Sequence, residues 1–145
     1  MKKKASLTKE EKQWFKFKEE EEVEVCGESE GSKDTWYYAK IMKQPNRKNK
    51  TKILVEYYRW MASEQGLKRH QNWVKPCSIR PLPPRVAHPV FDCYQEVDAF
   101  YNDGWKKGSI DGVHDKVSRY TVYFPLSKDK LDFGVKELRV HLSLG

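Results

Sequence analysis

The sequence predicts an all-β protein built from two tandem copies of one small barrel. Three observations carry this: an order of residues that occurs twice, short stretches of alternating apolar residues, and turn-forming residues between those stretches. Phe17 and Val23 stand six apart and are followed by Glu24-Val25; Phe91 and Val97 stand six apart and are followed by Asp98-Ala99. Trp36 precedes Ile41 by five positions through Ala39, and Trp105 precedes Ile110 by five through Gly108. Val55-Glu56-Tyr57 is answered by Val122-Tyr123-Phe124, and Ile79-Arg80 by Leu138-Arg139. Between the copies runs Arg80-Pro81-Leu82-Pro83-Pro84-Arg85-Val86-Ala87-His88-Pro89, which its prolines stiffen. This places a first domain at 15–83, a linker at 84–90 and a second domain at 91–145.

Each copy reads as short strands. Side chains alternate across a strand, so Tyr37, Ala39 and Ile41 share one face, as do Ile53, Val55 and Tyr57, and in the second copy Tyr120, Val122 and Phe124. Turns are expected from Gly27 to Asp34, from Asn46 to Lys50, at Asn102-Asp103-Gly104 and from Ser127 to Asp129. Many short strands without long helical periodicity favour a barrel. Trp60 to Asn72 breaks the pattern and reads as a helical turn or a long loop.

The chain has 145 residues, 38% of them hydrophobic and 13% aromatic, so rings exceed what two small cores need. Domains this small bury little surface per residue, and two of them are expected to brace each other. No apolar run approaches the roughly 18 residues of a membrane span, and no apolar stretch follows the basic Met1-Lys2-Lys3-Lys4 as a signal peptide requires. Cys26, Cys77 and Cys93 are odd in number and far apart, which favours free thiols, and His70, His88, His114 and His141 show no metal-ligand spacing. No nucleophile elbow, phosphate-binding loop or zinc-protease motif occurs, so no catalytic residue, cofactor or metal is expected.

Charge is unevenly distributed. The net charge is +7, yet Glu19 to Ala39 carries eight acids against Lys33 alone. Glu19 to Glu22 read as a solvated edge. Glu28, Glu30 and Asp34 lead directly to Trp36, and a basic peptide needs such a locally negative face on a positive protein. Asp98 and Asp103 are further acidic candidates in the second copy. Arg47, Lys48, Lys50 and Lys52 crowd a turn that is a solvated loop, a weak phosphate-binding patch or, with Lys2, Lys3 and Lys4, a nuclear-import patch.

Taken together, Glu22-Val23-Glu24-Val25, Trp36-Tyr37-Tyr38-Ala39-Lys40-Ile41, Val55-Glu56-Tyr57 and Ile79-Arg80-Pro81-Leu82-Pro83-Pro84, answered by Glu96-Val97-Asp98-Ala99-Phe100-Tyr101, Gly104 to Ile110 and Leu138-Arg139, resemble the plant Agenet domain. That domain is one of the Tudor-like "Royal" group of strongly bent β-barrels. The resemblance runs from Phe17 to the C-terminus. It implies two Tudor-like barrels packed together and a nuclear chromatin reader that binds a histone tail, notably histone three dimethylated on its ninth-position lysine. The implied methyl-lysine cage falls on Trp36, Tyr37, Tyr57 and Trp60 in the first copy. Tyr101, Trp105 and Phe124 are the counterparts in the second, where Lys106 stands in place of a ring and would repel a cationic ligand. Ring faces attract a methylated ammonium at about 0.5–2 kcal/mol per contact. Tyr37 and Tyr57 also share parity with core positions, so the same rings read equally as core. A small barrel with exposed rings can alternatively stack RNA or DNA bases, which makes a nucleic-acid module the competing reading.

Overall fold

A computed structural model describes residues 17–48, 50–58 and 70–142. Among the described residues there is no α-helix. The strands are β1 (Glu22–Cys26), β2 (Thr35–Lys43), β3 (Ile53–Tyr57), β4 (Gln71–Val74), β5 (Ile79–Pro81), β6 (Glu96–Tyr101), β7 (Gly104–Asp115), β8 (Arg119–Phe124), β9 (Asp129–Gly134) and β10 (Leu138–Val140), with single 3-10 turns at Glu30–Ser32, Pro76–Ser78 and Val135–Glu137. Among the described residues the pairings β1–β5, β10–β6, β2–β3, β2–β7, β3–β4, β6–β7, β7–β8 and β8–β9 are antiparallel. Most of the ambiguous Trp60–Asn72 segment lies outside the described residues; its last two residues, Gln71 and Asn72, begin β4.

The described chain forms two compact units. One takes the residues up to Val25 together with Tyr38–Leu82; the other takes Cys26–Tyr37 and everything from Pro83 onward. The division differs from a cut at residue 83, because the acidic loop and the start of β2 group with the second repeat.

In the first unit the strand order is β5–β1–β2–β3–β4. Val23, Val25, Ala39, Ile41, Ile53, Val55 and Val74 are buried, on the face that alternation assigns them. In a flat sheet β4 and β5 would lie four strand spacings apart, about 19 Å. Only Lys75 and the 3-10 turn Pro76–Ser78 join them, so the sheet must curl.

The second unit repeats the order as β10–β6–β7–β8–β9. Its core is Phe91, Val97, Ala99, Ile110, Tyr120, Val122, Phe124, Phe133 and Leu138. Strand β7 passes from one neighbour to the other at Ser109, which pairs with Glu96 of β6 on one side and Tyr123 of β8 on the other. Register shifts between Ile110 and Gly112 and between Val113 and Asp115 mark irregularities of the bulge kind, which bend a strand and raise its twist. Thr35 and Trp36 pair with Lys106 and Trp105, along a stretch of β7 that β8 does not reach.

In neither unit does the ladder join the fourth strand to the fifth, so the sheets are curled and open rather than the closed barrels expected. The physical reason is local: each fourth strand runs into a 3-10 turn, whose hydrogen bonds are internal to the chain segment.

Candidate functional site

The acidic loop is held tightly on itself. Ser29 and Ser32 hydroxyls meet at 2.8 Å, the Cys26 thiol donates to the Lys33 carbonyl at 3.1 Å, and the Gly27 amide donates to the Thr35 carbonyl at 3.0 Å. A Cβ at Gly27 would stand 2.2 Å from Ser32 Oγ, which explains why glycine occupies the position that Tyr101 holds in the second copy. Glu28 and Glu30 point to solvent, and Glu30 holds Lys33 at 2.8 Å.

Asp34 differs from these two. Its Oδ1 accepts a hydrogen bond from the Thr35 hydroxyl at 3.2 Å, while its Oδ2 is buried and accepts none from the described residues. A buried acceptor left without a donor costs about 1–3 kcal/mol, so this atom favours an incoming cationic donor. The Asp34 carbonyl accepts from the Lys107 amide at 3.0 Å, fixing the loop against β7.

Tyr37 lies beside this carboxylate. Its phenol is raised above the ordinary 10.0, first by burial and then by the negative charges of Asp34, Cys26 and Asp103, against a hydrogen bond with Thr35 that lowers it. The backbone makes room for the ring: a Cβ at Gly104 would stand 2.5 Å from Thr35 Cγ2 and 2.7 Å from Tyr37 Cε1. Asn102 and Asp103 both have positive φ, 52° and 63°, the conformation of a two-residue type I′ hairpin. The charge of Asp103, in that turn, is felt by the Tyr37 phenol. Trp36 pairs across the ladder with Trp105, so the two indoles share a sheet face. Arg139 lies 4.3 Å and Arg85 5.6 Å from the Trp105 ring centre, which commits that indole to the protein's own cations.

A second aromatic group lies at the far end of β6. Tyr101 stacks over Phe124 at 6.0 Å, and Phe133 meets both edge-on at 6.3 and 5.8 Å. Lys106 Nζ sits 4.9 Å from the Phe124 ring centre and 5.9 Å from that of Tyr101.

The remaining expected site residues divide. Asp98 is not a peptide contact: it is 1% exposed, with Arg139 Nε at 3.0 Å and His141 Nδ1 at 2.7 Å, so its charge is already neutralised. Phe124 is fully buried in the second unit's core cluster, with the Lys106 ammonium over its ring. Tyr57 is 5% exposed, belongs to the first unit and stacks on His70 at 5.8 Å. Trp60 lies outside the described residues, so these define no cage walled by all four rings. Arg47, Lys48, Lys50 and Lys52 are exposed in the β2–β3 turn, where Asn46 Oδ1 accepts from the Lys48 amide at 2.9 Å.

Sequence reasoning missed one pair of rings. Tyr38 and Tyr58 stack at 4.3 Å on the outward face, with the Tyr58 hydroxyl 3.4 Å from Glu22 Oε1. Their parity, opposite to Tyr37 and Tyr57, was the available signal.

The Agenet domain profile matches residues 20–84. A crystal structure of the Arabidopsis thaliana AGDP1 AGD34 segment is 34% identical, covers 86% of this chain and 82% of that one, and superposes with a TM-score of 0.76. This chain belongs to the Agenet family. A crystal structure of the ADCP1 tandem Agenet domain 3-4 is similar at 32% identity and a TM-score of 0.74, covering 89% of this chain and 83% of that one. Protein AGENET DOMAIN (AGD)-CONTAINING P1 of Arabidopsis thaliana is 32% identical over 125 residues, 82% of this chain and 24% of the relative. DUF724 domain-containing protein 3 of the same plant is also 32% identical over 125 residues, 83% of this chain and 17% of its own length. The chain thus spans a quarter or less of these curated relatives. The Agenet profile covers the first repeat, and the similarity to tandem Agenet structures extends over both.

Proposed function

We propose that this chain is a non-enzymatic nuclear reader of a histone tail, of histone three dimethylated on its ninth-position lysine, with the two repeats, 15–83 and 91–145, acting as tandem Tudor-like modules. The observation that carries the reading is Asp34, whose buried Oδ2 accepts no hydrogen bond from the described residues, next to the Tyr37 ring that its charge reaches. A dimethylated ammonium keeps one N–H and carries two methyl groups. It therefore gains from a ring face and from one carboxylate acceptor at the same time. A trimethylated ammonium has no N–H to give Asp34, and a bare one is held more strongly by water. Glu28 and Glu30, at the rim, match the basic residues of such a tail.

Calorimetric titration of tail peptides that are bare, mono-, di- or trimethylated at the ninth-position lysine tests this. The expected order puts the dimethylated peptide first. Asp34→Asn should weaken it about tenfold or more, since a hydrogen bond to a charged group contributes roughly 1.5–3 kcal/mol, and should abolish its advantage over the trimethylated form. Equal binding of methylated and bare peptides by the wild type would overturn the reading. The exposed cations Arg47, Lys48, Lys50 and Lys52 favour, as a secondary property, weak phosphate contact with nucleic acid that fades with salt.

A further inference from the structure

The aromatic group of the second repeat already holds a cation. Counting from Trp36 and Trp105, Lys106 occupies the position of Tyr37; counting along the third strand of each repeat, Phe124 occupies that of Tyr57. Tyr101 stands where the first repeat has Gly27. The Lys106 ammonium lies 4.9 Å from the Phe124 ring centre and 5.9 Å from that of Tyr101, both inside the roughly 6 Å reach of a cation–π contact. Phe133, edge-on to both rings, completes a three-ring group.

The polar surroundings of Lys106 point the same way. Among the described residues its ammonium forms no ion pair with a carboxylate, and its hydrogen-bond partner is the Ser127 hydroxyl at 3.4 Å. The adjacent Lys107 does reach a carboxylate, Glu96, at 3.3 Å, and Lys130 reaches Asp111 at 3.2 Å. Lys106 therefore lies on rings where neighbouring lysines take acids.

We propose that Tyr101, Phe124 and Phe133 form a second alkylammonium site, which Lys106 fills from within and thereby closes to external methylated amines. A primary ammonium is the weakest competitor for such a site, because its three N–H groups are better satisfied by water. A quaternary ammonium, with no N–H to lose, is the strongest. The residue at position 106 then decides whether the second repeat accepts such a ligand. As the open state is the minor one, the apparent affinity of the site falls in proportion to its population.

Side-chain NMR of the full chain tests this without reference to the first repeat. In the wild type, ring currents should move the Lys106 ε-methylene protons upfield of those of exposed Lys128. Titration with tetramethylammonium chloride should give saturable shifts of the Tyr101 and Phe124 ring signals in Lys106→Ala, at a concentration roughly tenfold below that needed by the wild type, because no internal cation has to be displaced. Lys106→Thr, whose branched side chain suits a strand, should behave alike if the alanine variant folds poorly. Lys106 signals at the Lys128 position, or folded variants whose Tyr101 and Phe124 signals do not saturate, would overturn the proposal. Both readouts sit on second-repeat rings, so they stand or fall apart from Asp34 and the tail peptide.

Discussion

Glu22 and partial burial act together on Tyr38, whose phenol is pushed up from 10.0 to about 12, burial first, then the hydrogen bond and charge of Glu22, then Tyr58. A raised phenol keeps its proton in the folded chain after the unfolded chain has released it. Tyr38 therefore stabilises fully below pH 10, and that contribution is lost as the pH climbs from 10 to about 12. Alkaline absorbance titration beside thermal melts should show a late-ionising tyrosine and falling stability across that window, and Glu22→Gln should move both downward. Simultaneous ionisation of every tyrosine at the ordinary value would refute the assignment. At this scale the sequence was legible in parity and illegible in partnership. Alternation separates outward Tyr38 from inward Tyr37, but it cannot tell a ring that faces a ligand from one that fills a core, because both point inward. Asp98 read as a ligand contact because Arg139, which neutralises it, lies 41 residues away. Asp34 and Asp103 stand in loops that lead straight to Trp36 and Trp105, and their contact with a peptide is part of the proposed function.

The two repeats carry the same ion pair between the same strands. Glu24 of β1 faces Arg80 of β5, with Oε1 at 3.0 Å from Nε and 2.9 Å from the terminal nitrogen; Asp98 of β6 faces Arg139 of β10 at 3.0 Å. All four side chains are nearly inaccessible, and each pair ties the first strand of a repeat to its last. The matching of Glu24 with Asp98, and of Arg80 with Arg139, was visible in the repeat, though which acid met which arginine was not. Removing one partner strands a buried charge. Arg80→Ala should cost about 3–5 kcal/mol, whereas Glu24→Leu with Arg80→Met should be close to neutral or even stabilising. Urea unfolding of the three proteins measures this, and an Arg80→Ala loss under about 1 kcal/mol would place the pair with weak surface bridges. The strands, the Asn102–Asp103 hairpin and the linker prolines followed from local chemistry. The grouping of residues 26–37 with the second repeat did not, because it depends on which edge of β7 is left open after the chain has folded.

Across the whole molecule, a net charge of +7 repels a basic tail at long range, and the segment from Glu19 to Ala39, with eight acids against Lys33, reverses the sign most strongly. The two kinds of acid in that segment should act on different rate constants. Glu28 and Glu30 are exposed; charges of this sort steer diffusional encounter and are screened within about 8–10 Å at physiological salt. Asp34, with its buried Oδ2, can act only after contact, by holding the ligand in place. Reversing Glu28 and Glu30 to lysine should therefore slow association of the methylated tail peptide and leave dissociation nearly unchanged, with the difference from wild type shrinking as salt is added. Asp34→Asn should do the opposite, speeding dissociation with a weak dependence on salt. Stopped-flow fluorescence at low and at physiological ionic strength separates the two constants. If Glu28→Lys with Glu30→Lys changes neither rate in dilute buffer, the peptide approaches by another face, and the acidic segment serves the fold rather than the ligand.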